Sequence, residues 1–280
     1  MSQRTIGILG CGWLGLPLAE HLNRKGYRVK GTTTSEHKLP LLRSAGAEPF
    51  QLRLHPKGPV GDIHAFLNHV EFLVIAVPPG LRSDPQKDHV AEIGSLLNSL
   101  QEAASLRKLI YISSTSVFPD REMTFDEASS PEPDSDSGRQ LAEIEKLVTG
   151  LQQIRGTVLR FGGLFGGDRH PVKFLSGKQG LASPHAPVNL IDRQDCIGLI
   201  TSLIESEKSV SVCHGVSPYH PEKSSYYGEI AARNGLLPPE FDQNDQRGGK
   251  RISSANTCDA LQYRFLNEKL DWIMPENQKL

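Results

Sequence analysis

With 280 residues, 38% of them hydrophobic, the chain is long enough to bury a large core and lies between one large domain and two ordinary ones. Its 31 Lys plus Arg are set against 32 Asp plus Glu, so no overall field draws it to nucleic acid or to an anionic membrane surface. The partner expected from this balance is a small molecule.

The N-terminus enters the strand pattern of residues 5–9 (TIGIL) without the hydrophobic stretch and small-residue cleavage site of a secretory signal, and the expected location is cytoplasmic. That strand runs into Gly10-Cys11-Gly12-Trp13-Leu14-Gly15, followed by Leu16, Leu18, Ala19 and Leu22 at helical spacing over residues 12–25. A G-x-G-x-x-G between a strand and a helix is the context a dinucleotide site requires. Gly10 permits the tight turn, Gly12 lets a pyrophosphate approach the backbone, and Gly15 lets the helix pack closely on the strand. The amides of Trp13 and Leu14 then face the phosphates at the helix N-terminus, where the dipole favours an anion. A second strand over 27–32 leads into Thr32-Thr33-Thr34-Ser35 and on to Lys38. An NAD site carries an acid for the adenosine ribose at the position of Thr33; hydroxyls and a lysine there suit a 2′-phosphate instead. The expected cofactor is NADP, with NAD as the alternative, because the same Thr and Ser residues can equally cap the next helix, expected over 36–45.

Further strands are expected over 49–54, 72–77, 108–113 and 157–160, alternating with helices over 89–104 and 138–151. This alternation builds βαβ units, so the fold class is α/β: a doubly wound Rossmann sheet, parallel, with helices on both faces. The 72–77 run is the longest apolar one and stops at Pro78-Pro79, far short of the ~20 residues that span a bilayer. Ala76 and Val77 at its end complete the cofactor-contact set. After the low-complexity loop 129–138, the helix at 138–151 places Leu141, Ile144, Leu147, Val148 and Leu151 on one face, and Ser137 with Gln140 fits a capping box at its start. This helix and residues 92–104 could pair two protomers into a homodimer. Beyond Gly162 the pattern loosens, then gives a helix over 195–206, a strand over 210–215 and a helix over 224–234. The division is therefore a dinucleotide-binding domain over 1–164 and a small C-terminal substrate lobe over 165–280 that contributes partly to the sheet. Cys11, Cys196, Cys213 and Cys258 are scattered without metal-ligand spacing and read as reduced packing residues.

Residues 110–118 (IYISSTSVF) close the fifth strand and residues 159–167 (LRFGGLFGG) the sixth. They resemble the SSxxVYG and LRxxxxYGP segments of the extended short-chain dehydrogenases/reductases, the NAD-dependent epimerase/dehydratase family. Residues 188–195 (VNLIDRQD) resemble its vNxxHvxD segment. The GCGWLG turn, Ser137-Gly138-Arg139 and Asp168-Arg169-His170-Pro171 are similar to an atypical subgroup of that superfamily. The resemblance covers most of the chain in order and implies a nucleotide-sugar or other phosphorylated substrate, with Ser114 polarising the substrate oxygen. In the family a Tyr-x-x-x-Lys pair supplies the proton-transferring phenol and the lysine that holds the nicotinamide ribose; aligned on Glu143, those positions are Ser135 and Arg139. Neither side chain shuttles a proton near neutral pH, although Arg139 can hold ribose hydroxyls or a phosphate. Replacement carriers are Glu127, Asp134, Asp136, His170 or a water held by Ser135. Against these roles stand plainer ones: Ser113, Ser114 and Ser116 as partners of the backbone, Arg139 as a solvated first-turn residue, and Arg160 as a paired buried cation.

Two functions follow. One is an oxidoreductase or epimerase-like enzyme moving a hydride at a carbinol carbon; the other is a non-catalytic NAD(P)-binding sensor or scaffold that has lost the Tyr and Lys. The Val77-Pro78-Pro79 ending also suits a hydroxyacid-dehydrogenase nucleotide domain, but the segments around Ser114 and Arg160, and the lack of long helical patterns after residue 165, oppose it.

Overall fold

The computed structural model describes residues 3–276. Its strands are β1 (Thr5–Leu9), β2 (Arg28–Thr33), β3 (Ala47–Gln51), β4 (Phe72–Ile75), β5 (Lys108–Ser114), β6 (Thr124–Phe125), β7 (Arg155–Phe161), β8 (Gly163–Phe165), β9 (Leu190–Asp192), β10 (Val212–Gly215) and β11 (Arg251–Ile252). The helices are α1 (Gly15–Arg24), α2 (Leu39–Ser44), α3 (Ile63–Leu67), α4 (His89–Ser99), α5 (Asp136–Thr149), α6 (Val172–Leu175), α7 (Arg193–Glu205), α8 (Lys223–Arg233) and α9 (Ala255–Leu261). Seven strands form one sheet in the order β3-β2-β1-β4-β5-β7-β10 with every pair parallel, and two small sheets join β6 to β11 and β8 to β9. The fold is the expected Rossmann-like α/β sheet.

Both faces of the sheet are covered, which is why β1 and β4 read as unbroken apolar runs instead of alternating ones. On one face Ile6, Ile8, Val74, Ile110 and Leu159 pack with Leu18 and Leu22 of α1 and Ile197 and Ile200 of α7. On the other, Leu9, Leu73, Ile75, Leu109 and Tyr111 meet Phe66 of α3, Ile93 and Leu96 of α4, and Ile144 and Val148 of α5. A third cluster joins Phe165, Val172 and Val188 to Tyr226, Tyr227 and Trp272. The strand order reverses between β1 and β4, and the crevice at their carboxyl ends is where such folds receive ligands.

Local chemistry moves several boundaries. The 36–45 helix divides into a 3-10 turn at Glu36–Lys38 and the short α2, which restarts with a proline in its first turn, the place where a missing N–H costs least. The expected 49–54 strand shifts to Ala47–Gln51, and Leu52 leaves the sheet. The N-cap of α5 is Ser135, not Ser137: its Oγ accepts from Gly138 N at 3.1 Å. Gln140, released from a capping role, donates to Lys87 O and accepts from His89 N, tying α5 to the start of α4. The late strand, β10, pairs with β7 and forms an edge of the main sheet.

Candidate active site

Gly10 turns the chain out of β1 at a φ of 101°, a left-handed conformation that costs glycine nothing. Its N–H donates to Thr32 Oγ1 and that of Cys11 to Thr32 O, both at 2.9 Å, so the end of β2 holds the turn. Leu16 N already donates to Gly12 O at 3.0 Å, so helical bonding starts inside the motif. The three glycines are required for different reasons. A Cβ on Gly10 would stand 2.9 Å from Val77 Cγ2 and 3.0 Å from Ala76 O, and one on Gly15 would collide with Gly10 O. A Cβ on Gly12 would meet nothing within 4 Å. Packing explains Gly10 and Gly15, while Gly12 faces open space at the N-terminus of a helix whose first turn carries no acid and no capping side chain.

From this turn opens a cavity of about 350 Å³ whose wall includes Gly10, Thr33, Thr34, Arg53, Val77 and Lys87. Thr33 is buried, and its Oγ1 accepts from Ser35 N at 3.2 Å, so part of its chemistry goes to shaping the loop. Ser35 and Lys38 are not on the wall, and Lys38 is exposed on the 3-10 turn. Sequence reading passed over Arg53 and Lys87. The signal for Arg53 was a cation between the apolar Leu52 and Leu54 directly after β3, a place where a side chain turns toward the ligand crevice. Lys87 pairs with Glu92 Oε2 at 3.0 Å, and the same oxygen lies 3.1 Å from His89 Nδ1. Burial pushes the His89 imidazole below its ordinary pKa.

β5 delivers Ser114 to the same end of the sheet. Ser114 Oγ accepts from Ser116 N at 3.1 Å and caps the 3-10 turn Thr115–Val117, leaving its O–H free to donate. Gly138 seats the start of α5 on this turn, since a Cβ there would run into Ser116 O. Ser114 and the Ser135 cap are therefore brought together, but Arg139 points outward: it is 56% exposed and bonded to Asp136 Oδ1 and to Asp134 O at 3.2 Å. Arg160 is a buried paired cation, with its Nη2 2.6 Å from Glu145 Oε2 and its guanidinium 5.0 Å from the Phe118 ring. Glu145, absent from the sequence reading, also takes the Ser113 hydroxyl at 2.5 Å. A second cation missed there is Lys250, whose Nζ donates to Thr115 O at 3.0 Å and Phe118 O at 2.6 Å beside the Ser114 turn, with its pKa lowered by burial.

The alternative proton carriers are mostly engaged. Glu127 Oε1 accepts from the Thr257 hydroxyl and amide, although its buried Oε2 has no hydrogen-bond partner, and Asp134 accepts from Asp120 N. His170 is fully buried: Nδ1 accepts from Val172 N at 3.1 Å, Nε2 lies 3.0 Å from Tyr226 Oη, and Trp272 stacks on the ring. Because Tyr226 Oη donates to Leu270 O, it accepts from His170, and the tautomer with the proton on Nε2 is set. Burial pushes this imidazole down to about 3, so it is a neutral core residue.

No family model matches the chain. Protein YeeZ of Escherichia coli (strain K12) is 32% identical over 266 residues, covering 94% of this chain and 96% of its own length. Among solved structures, a functionally unknown conserved protein from Silicibacter pomeroyi DSS superposes with a TM-score of 0.76 at 22% identity over 94% of each chain. The UDP-glucuronic acid 4-epimerase from Bacillus cereus, in complex with NAD, superposes with a TM-score of 0.73 at 16% identity, again over 94% of each chain. At these identities the superpositions establish a shared fold.

Proposed function

This chain belongs to the protein YeeZ family, and we propose that it binds a nicotinamide dinucleotide on the Gly10–Gly15 turn and acts as an oxidoreductase- or epimerase-like enzyme. The observation that carries this reading is the turn itself, in which two glycines are enforced by packing and Gly12 alone faces open space beside a cavity. A structural glycine turn has no need of the third. The epimerase with the same fold has NAD in its complex, which supports the same class of cofactor here. The substrate class we assign is a nucleotide sugar or another small phosphorylated molecule.

Bound here, the cofactor would supply a hydride acceptor and donor at its nicotinamide. Ser114 would donate its free O–H to the substrate oxygen, where charge develops as hydride moves. Ser135 would hold a water for proton transfer, and Arg139 would swing from Asp136 to the nicotinamide ribose or a substrate phosphate. At the adenosine end we assign NADP(H), because Thr33, Thr34 and Arg53 line the cavity and the two acids on its wall are engaged, Glu92 with Lys87 and Asp84 with Gln86 N. In the same reading, residues 1–164 carry the dinucleotide, 165–280 form the substrate side, two protomers meet through α4 and α5, and the protein works in the cytoplasm. Among the described residues no helix is long and apolar enough to cross a membrane.

Calorimetric titration of NAD, NADH, NADP and NADPH tests the reading before any substrate is chosen. Tighter binding of NADP(H) is expected, and Thr33→Asp should reverse the order by placing a carboxylate against the 2′-phosphate. Binding of none of the four overturns the proposal. A tenfold preference for NAD(H) overturns the cofactor choice alone. A second reading, a nucleotide-binding sensor without turnover, is favoured by one observation: the two positions of the missing Tyr and Lys are occupied by a helix cap and an exposed ion pair. Nucleotide-dependent capture of a protein partner, with no hydride transfer to any of a panel of nucleotide sugars, would select it.

A further inference from the structure

Two guanidiniums from the second half of the chain converge on one indole of the glycine turn. Arg169 and Arg193 each hold their guanidinium carbon 5.1 Å from the centroid of the Trp13 ring. Arg169 stands exposed at the end of a tight loop closed by Gly166 N donating to Arg169 O at 2.8 Å. Arg193 opens α7 and runs along Gly167, whose φ of 57° and missing Cβ make room for it: a Cβ there would lie 2.7 Å from Nη2. Among the described residues no ion pair joins either guanidinium to a carboxylate. Of the acids adjacent in sequence, Asp168 beside Arg169 and Asp192 beside Arg193, the second caps α7 through Gln194 N at 2.7 Å while still feeling the Arg193 charge.

Arg193 Nε and Trp13 Nε1 are both buried without a hydrogen-bond partner. Unused buried donors cost free energy, and two like charges gathered on one ring repel, so the cluster is poorly satisfied as it stands. An anion held by the two guanidiniums would offset their mutual repulsion. Trp13 is also the residue whose own amide lies at the start of α1, where the helix dipole favours negative charge and the chain supplies none.

We infer that Arg169 and Arg193, carried on Trp13, form a clamp for a diphosphate resting on the glycine turn. The backbone of the first half receives the phosphates from below, and the planar donors of the second half close over them. The diphosphate comes either from the dinucleotide, in which case the inference rests on the reading above, or from a nucleotide-sugar substrate. The clamp thus couples the two halves of the chain through ligand charge.

The test uses the full chain with Arg169→Gln, Arg193→Gln and the double variant, titrated with ADP-ribose, UDP and AMP, with thermal melts confirming that each is folded. Loss of about tenfold in ADP-ribose affinity for each guanidinium removed, with AMP affinity little changed, is the expected result. A comparable loss for UDP alone supports the clamp and assigns it to the substrate diphosphate. Unchanged affinity for both diphosphates overturns it, as does an equal loss for AMP, which marks a general structural effect. Because Arg169 is exposed, its single variant folds even if Arg193→Gln does not, and it decides the matter by itself. A wild type that binds neither NADPH nor ADP-ribose but loses UDP in the variants sinks the dinucleotide reading and keeps the clamp. Wild-type binding of NADPH with unaffected variants does the reverse, and a wild type that binds neither diphosphate overturns both.

Discussion

Gly12 and Gly15 stand three residues apart in one turn and answer to different constraints. A branched side chain at Gly12 projects into open space, so Gly12→Val is expected to abolish dinucleotide binding in calorimetry while leaving the thermal melt where it was. Gly15→Ala drives a methyl into Gly10 O, and relief requires backbone movement; roughly 1–3 kcal/mol of stability should disappear in urea unfolding. Ser114 offers a comparable separation between binding and chemistry. Its oxygen is used by Ser116 N but its proton is free, so Ser114→Ala should lower a hydride-transfer rate about 10²-fold with cofactor affinity retained. Arg139→Ala removes an exposed pair of little structural worth, at most about 1 kcal/mol. A clear fall in cofactor or substrate affinity on that substitution would show the guanidinium moving inward on binding; equal affinities would leave it a surface residue.

Among the elements, α5 does most to connect the site to the core. Its first turn sits on the loop after Ser114 through Gly138, its Gln140 fastens α4, and its Glu145 reaches under β5 and β7 to Arg160 and Ser113. Removing one member of a buried ion pair strands the other charge, so Glu145→Ala should cost about 3–5 kcal/mol in urea unfolding. A loss below about 1 kcal/mol would mean that water reaches Arg160. The opposite face of α5 shares with α4 a groove of about 710 Å³, with Leu97, Leu147 and Leu151 on its wall and Leu147 41% exposed. If two protomers meet there, Leu147→Glu should convert dimer to monomer in light scattering without lowering the melting temperature. A wild type that is already monomeric removes this interface from the proposal.

Taken as a whole, the molecule buries several imidazoles in neutral form. His170 is pushed down to about 3 from its ordinary 6.5, and burial also lowers His89 and His214. Once unfolded, each takes a proton at its ordinary pKa; below pH 6.5, unfolding therefore binds protons and acid favours the unfolded chain. Their contribution is complete above that pH and is lost progressively as the pH falls toward the folded values. The limiting slope is about 1.4 kcal/mol per pH unit for each imidazole. The urea midpoint should accordingly drop between about pH 7 and about pH 5. A level profile over that interval would mean that the three rings are accessible to protons in the folded state.

Strand periodicity and the early glycine motif carried the fold class, because a sheet covered on both faces leaves unbroken apolar runs and the first βα turn has local steric requirements written into its residues. Composition alone disfavoured nucleic acid. What sequence left open were features set by groups far apart in the chain. The capping residue of α5 was displaced from Ser137 to Ser135 because Gly138 must close against the Ser116 carbonyl, a contact made just past the carboxyl end of β5. His170 stood in the irregular stretch beyond Gly162 as a candidate proton carrier, yet Tyr226 and Trp272 enclose it from 56 and more residues away. Arg53, Glu145, Lys250 and the pair of guanidiniums on Trp13 belong to elements whose order along the chain gives no hint of their meeting. Local sterics and hydrophobic period act over a few residues and are legible one segment at a time; the pairing of charges and the burial of polar groups depend on which segments the sheet order makes neighbours, and only the tertiary structure decided that.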